Sequence, residues 1–275
     1  MNGSSSFRRA FCMVVLLVVS VLIAVWHARL LATHPHLVYL TGWSLLGLML
    51  YLTAYNSRKK LAFLPLLSSR LWLQMHIYLG LFTGLVFLLH SRGRWPAGWF
   101  ESLLSGLFVG VTLSGIVGWW ISRAIPKQLT TVGGEVPYER IPIIRRSLRE
   151  QAEALVLKGI PVAKASTLAD FYAGRLAGFF AGDNHFWAHV FGSRRSLSIL
   201  LDQLAELGRF LNTEEKKTIG QLADLVRQKD ALDFHAAKQL VLRGWLFVHI
   251  PLTYGLLVFS FVHVVIVYAY SGGAR

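Results

Sequence analysis

Hydrophobic positions in this chain fall into long uncharged runs, a pattern distinct from the short amphipathic stripes of a soluble domain. Ala10–Trp26, Leu37–Tyr55, Leu71–Leu89 and Leu103–Ile121 each run nearly free of charge, and a fifth run extends from about Trp245 to Tyr270. About 20 apolar residues span the ~30 Å hydrocarbon layer as a helix. A helix also satisfies its own backbone hydrogen bonds in lipid. The expected fold is therefore all-α: a transmembrane bundle of about five spans. The first run follows Arg8 and Arg9 and reads as an uncleaved anchor, since no small-residue cleavage site follows promptly.

Between the fourth and fifth runs the pattern changes to the helical period of a folded, water-facing domain. Thr167 and Asp170 resemble a capping box ahead of Leu168, Phe171, Tyr172, Leu176 and Phe179. Leu197, Leu200, Leu201, Leu204 and Leu207 recur at helical spacing, and Thr213 with Glu214 and Glu215 reads as a helix start. Asp230–Arg243 is expected to run directly into the fifth span. The domain reading is spans one to four over 1–121, a soluble helical insertion over 122–242, and span five with a tail over 243–275.

Composition sharpens the membrane reading: 54% of the 275 residues are hydrophobic and 15% charged. The net charge of +14 does not point to nucleic acid, because its excess sits at span ends. Between Ser122 and Gly244 there are 18 basic and 13 acidic residues, a net of only +5. Basic flanks facing anionic lipid account for the rest. Arg8, Arg9, Arg58, Lys59, Lys60, Arg70, Arg123 and Lys127 share one face of a five-span topology, against Arg29, Arg92, Arg94 and Arg275 on the other. The positive-inside bias puts the insertion in the cytoplasm, with the chain in a bacterial inner (cytoplasmic) membrane. The single cysteine, Cys12, excludes an internal disulfide, a multi-thiolate iron–sulfur cluster and c-type haem attachment.

The candidate chemistry lies in four histidines: His76 and His90 in the third run, His249 and His263 in the fifth. Each pair is 14 residues apart, a rise of ~21 Å that falls only ~40° short of four full turns. Each helix thus offers two imidazoles on nearly one face, one toward each membrane surface. With one span between them the two helices run parallel, which pairs His76 with His249 on the cytoplasmic side and His90 with His263 on the far side. Such pairs suit haem iron, whose axial positions take two neutral imidazoles. Gly80, Gly84 and Gly255 would clear room for a macrocycle, Pro251 would bend the fifth helix near His249, and Arg70, Arg92 and Arg94 lie at depths suited to haem propionates. The plainer readings are helix packing at the glycines, membrane flanking by the arginines, and packing or proton-relay contacts at the histidines. His185 and His189 have the i, i+4 spacing of a metal pair without a third ligand nearby. His27, His34 and His36 read as loop residues on the far side, and His235 as a residue of an exposed helix face.

The paired spacing in MHIYLGLFTGLVFLLH (Met75–His90) and HIPLTYGLLVFSFVH (His249–His263) resembles the ferric reductase-like transmembrane family, which includes the NADPH oxidases. It also resembles cytochrome b of quinol-oxidising complexes. The resemblance covers roughly 10–121 and 243–270. It implies two b-type haems on His76, His90, His249 and His263, with electrons crossing the membrane. Family enzymes usually add a sixth span and a flavin and nicotinamide domain; residues 1–275 are expected to form neither, and the insertion is a further departure. The expectation is the membrane electron-transfer subunit of an oxidoreductase, serving separate donor and acceptor proteins or quinone, in contact with lipid and not with nucleic acid. The alternatives are a terminal ferric or cupric reductase, with His34 and His36 as its outer substrate site, and a non-redox transporter or scaffold.

Overall fold

The computed structural model describes residues 37–54, 69–131, 136–159, 166–182, 186–209 and 213–271, with isolated helical positions between 14 and 29. Those residues are predominantly helical, with no strand among them. The main helices are α1 (Leu37–Ala54), α2 (Ser69–His90), α3 (Trp99–Thr131), α4 (Ile141–Gly159), α5 (Ser166–Phe171), α6 (Ala177–Ala181), α7 (Phe186–Phe191), α8 (Arg195–Gly208) and α9 (Thr213–Ser271). A π-helical turn, Tyr172–Leu176, joins α5 to α6.

Four of these helices, α1, α2, α3 and α9, are long and apolar enough to cross a membrane. The chain is a membrane protein by that measure of length and composition. Of the expected first span, Val14, Val15, Val18, Val19, Val21, Leu22, Ile23, Val25 and Trp26 are described and helical; the remainder lies outside the described residues. Helix α3 continues ten residues past the expected end of its span at Ile121. Pro126 removes one rung of the hydrogen-bond ladder there without ending the helix. Helix α9 is a single 59-residue element, running through Asp230–Arg243 into the last apolar stretch and on through Pro251.

The chain divides into two compact units, Met1–Trp120 with Trp245–Arg275, and Ile121–Gly244. In the first, the helix pairs α1/α2 and α3/α9 run antiparallel. Tyr51 stacks on Trp72 while Val38 meets His90, and Trp245 meets Ser114 while Phe259 stacks on Phe100. Its buried apolar cluster is small: Met49, Phe108, Leu256 and Leu257. Most side chains of the four apolar helices face outward, as expected where lipid takes the place of a protein core.

The second unit has a conventional apolar core. Leu148, Ala152 and Val156 of α4 pack with Leu168, Leu176, Phe180, Leu204, Leu222, Leu225 and Val226. Its charges are not all solvated. Lys229 is 2% exposed, donates to the Gly182 carbonyl at 2.8 Å and pairs with Asp233, which also meets Arg145 at 2.7 Å. His235, expected on an exposed face, is also buried. It lies on a part of α9 whose apolar stripe is continued by polar residues, so the face that reads as solvated turns inward.

Candidate functional site

The four intramembrane histidines come together in two pairs within the first unit. His90 and His263 face each other with ring centroids 6.4 Å apart and ring planes at 88°. His76 has His249 within electrostatic range. The partners come from α2 and α9, which run in the same direction, since His76 and His90 meet His249 and His263 in the same order along the chain. Along α2 the two layers are 14 residues apart, ~21 Å of helix rise.

Two of the rings are held through their Nδ1 atoms. His90 Nδ1 lies 3.2 Å from the Val38 carbonyl oxygen and 3.4 Å from Thr41 Oγ1. A carbonyl can only accept, so His90 donates its Nδ1 proton and the Nε2 lone pair is left available. This is the arrangement that orients a metal-bound imidazole. His249 Nδ1 lies 3.2 Å from Ser114 Oγ, which can accept in the same way. The Leu52 backbone supplies a hydrogen-bond partner to His76. Val38 and Leu52 are themselves 14 residues apart, so antiparallel α1 presents one carbonyl to each histidine of α2. Leu52 lies in the last turn of α1, where helix carbonyls have no partner of their own. His263 differs: its Nδ1 is buried and makes no hydrogen bond among the described residues. Phe100 stacks on its ring at 6.4 Å, and Glu101, the only acid outside the stretch from Ser122 to Gly244, is within electrostatic range.

Glycines fit two of the rings closely. A Cβ added at Gly42 would come 3.0 Å from His90 Cε1. One added at Gly118 would overlap the Trp245 indole, which donates to the Ser114 carbonyl at 2.8 Å and stacks on His249 at 5.2 Å. Gly118→Ala should therefore dislodge Trp245 and cost about 1–3 kcal/mol, the usual penalty of overpacking. Thermal unfolding of the purified protein checks this, and adding Trp245→Ala should recover part of the loss. A full-stability Gly118→Ala protein would show that the indole yields freely.

Gly80, Gly84 and Gly255 behave otherwise: an added Cβ would meet nothing within 4 Å at any of them. A close helix–helix crossing at these glycines would have brought a neighbour to that distance, so each of them borders open space. Arg92 and Arg94 are exposed in the turn after His90, where Arg92 and Gly93 both have positive φ (54° and 65°). The Arg70 side chain lies outside the described residues, as do His27, His34, His36 and His185. His189 is buried against Asp230 at 3.7 Å, in the other unit.

The donor set suits a group that brings most of its own ligands. No group of three or more His, Cys, Asp or Glu side chains placed to hold a bare metal ion occurs among the described residues. Two imidazoles on opposite sides of one metal, each bonded at about 2.0–2.1 Å, put their ring centroids roughly 6–6.5 Å apart. The 6.4 Å of His90 and His263 falls in that range. An iron porphyrin needs two axial donors of this kind and a slot beside small residues.

One signal was present in the sequence and not used: both histidine helices carry tryptophan four residues before the first histidine, Trp72 before His76 and Trp245 before His249. The contribution of α1 had no such signal, because it is made by backbone carbonyls. No family model, curated protein or solved structure matches this chain.

Proposed function

We propose that this chain is a di-haem b-type cytochrome subunit that passes electrons across a membrane between separate redox partners. The observation that carries the reading is the facing of His90 and His263 at 6.4 Å, with His76 and His249 within electrostatic range of each other one layer away. His76 and His249 would hold one haem and His90 and His263 the other, each haem supplying a one-electron couple when bound. The protein's part is to fix the donors and keep water out. The Val38 carbonyl and Ser114 hydroxyl hold His90 and His249 through Nδ1, leaving Nε2 free to ligate. Met49, Phe108, Leu256 and Leu257 form a dry plug, with Phe87 stacked on Phe108 at 4.2 Å. Leu256 and Leu257 fall midway between His249 and His263 along α9. A low-dielectric spacer of this kind disfavours ion leakage.

The test is a dithionite-reduced minus oxidised absorbance spectrum of detergent-purified protein, with haem quantified per chain. A b-type band with about two haems per chain is expected. A colourless preparation would sink the reading and favour a transporter or scaffold in which the histidines pack or relay protons.

A further inference from the structure

The two tryptophans that precede the first histidine of each helix are placed alike and bonded differently. Trp72 and His76 are at i, i+4 on α2, as Trp245 and His249 are on α9, so each indole covers the turn just outside its histidine. Trp245 is satisfied inside the protein, through the Ser114 carbonyl and the stack on His249. Trp72 instead stacks on Tyr51, with centroids 6.1 Å apart and planes at 17°. Its Nε1 is buried and has no hydrogen-bond partner among the described residues.

A buried N–H left without an acceptor costs about 1–3 kcal/mol. Tryptophans of a membrane interface avoid that cost by turning the indole N–H toward headgroups, and a buried Nε1 cannot do so. The described residues supply no acceptor, which leaves the N–H to a group that enters the protein at this depth. The place is one turn outward from His76, on the same helix face, beside the Leu52 backbone that holds the His76 ring. A prosthetic group ligated at His76 with its apolar edge toward the open room at Gly80 would turn its polar edge this way. The only hydrogen-bond acceptors on the rim of a b-type haem are its two propionate carboxylates.

We infer that the Trp72 indole N–H, braced by Tyr51, binds a propionate carboxylate of the haem held at His76 and His249, and so sets the retention and potential of that haem alone. The inference rests on the di-haem reading. A hydrogen bond to a carboxylate is a strong one, and it withdraws negative charge from the neighbourhood of the iron. Removing it should favour the ferric state.

The experiment uses full-length protein in two backgrounds: His263→Ala, expected to keep only the haem at His76, and His76→Ala, expected to keep only the haem at His263. Trp72→Phe is added to each, preserving a ring against Tyr51 and deleting the donor. Midpoint potential is read by redox titration, and haem retention by transfer to excess apomyoglobin. In the His263→Ala background, Trp72→Phe should lower the midpoint and speed haem loss roughly tenfold. In the His76→Ala background neither should change. Reconstitution with an iron porphyrin that lacks both propionates should abolish the effect of Trp72→Phe. Unchanged potential and retention in the His263→Ala background would overturn the inference while leaving the di-haem reading intact. Equal changes in both backgrounds, or an effect that survives loss of the propionates, would also overturn it, since a general packing role would then explain the result. Absence of haem from the parent protein would overturn the di-haem reading and this inference with it.

Discussion

Removing both histidines of one layer should cost no more haem than removing one. His76→Ala and His249→Ala should each leave about one haem per chain, and the double variant should also leave about one. His90→Ala with His263→Ala should behave the same way. Doubles across layers, His76→Ala with His90→Ala or His76→Ala with His263→Ala, should leave about none. The prediction follows from shared ligation: once one axial imidazole is gone, the second has no iron left to lose. The pattern also tests the pairing itself. If His76 were paired with His263, their double variant would retain one haem and the His76/His249 double would retain none. Haem quantified per chain across the four doubles therefore separates parallel from crossed pairing, and both from histidines that hold no haem. The 6.4 Å approach of His90 to His263 is why the parallel outcome is expected.

What the sequence revealed of this arrangement, and what it hid, has a physical division. Spans α1, α2, α3 and the end of α9 were legible because lipid imposes long uncharged runs. The helical insertion was legible because leucines at Leu197, Leu200, Leu201, Leu204 and Leu207 keep the period of a helix, observed as α8. The facing of the histidines could be anticipated because 14 residues nearly close four turns and helix direction alternates from span to span. The role of α1 could not. Val38 and Leu52 act through backbone carbonyls, which every residue has, and Gly42 acts by lacking a side chain. The π turn at Tyr172–Leu176 and the passage of α3 through Pro126 also left no pattern to read.

The insertion hid its ionic residues most completely. His235 reads as a residue of an exposed helix face, yet it is buried, as are Lys229 and Asp233 on the same helix. Spacing explains the miss. Leu222, Leu225, Val226 and Leu232 form the inward stripe of α9, and Lys229 and Asp233 fall on that same stripe at i, i+4. Two opposite charges one turn apart can enter a core together, where either alone would be excluded.

That joint burial makes Asp233 the position where one substitution should do the most damage to the fold. Asp233→Ala leaves the ammonium of Lys229, 2% exposed, to the Gly182 carbonyl, the Phe179 ring, whose centroid is 4.4 Å away, and the Asp230 carboxylate, which is within electrostatic range. It also takes a carboxylate from Arg145, whose side chain is 21% exposed and can turn toward water. Breaking one side of a buried pair costs about 3–5 kcal/mol, whereas replacing both sides with apolar groups of similar size is near neutral. Asp233→Ala should therefore lower the unfolding free energy of the insertion by about 3–5 kcal/mol. Lys229→Met with Asp233→Leu should recover most of that loss. Denaturant unfolding of the full-length protein, followed by limited proteolysis between residues 122 and 244, reads both variants. If Asp233→Ala unfolds like the parent, the pair is solvated and the charges on this face of α9 are surface charges after all. If the apolar double is as unstable as the single, the pair contributes net stability beyond mutual neutralisation, and the insertion depends on those charges to hold α9 against the Gly182 backbone.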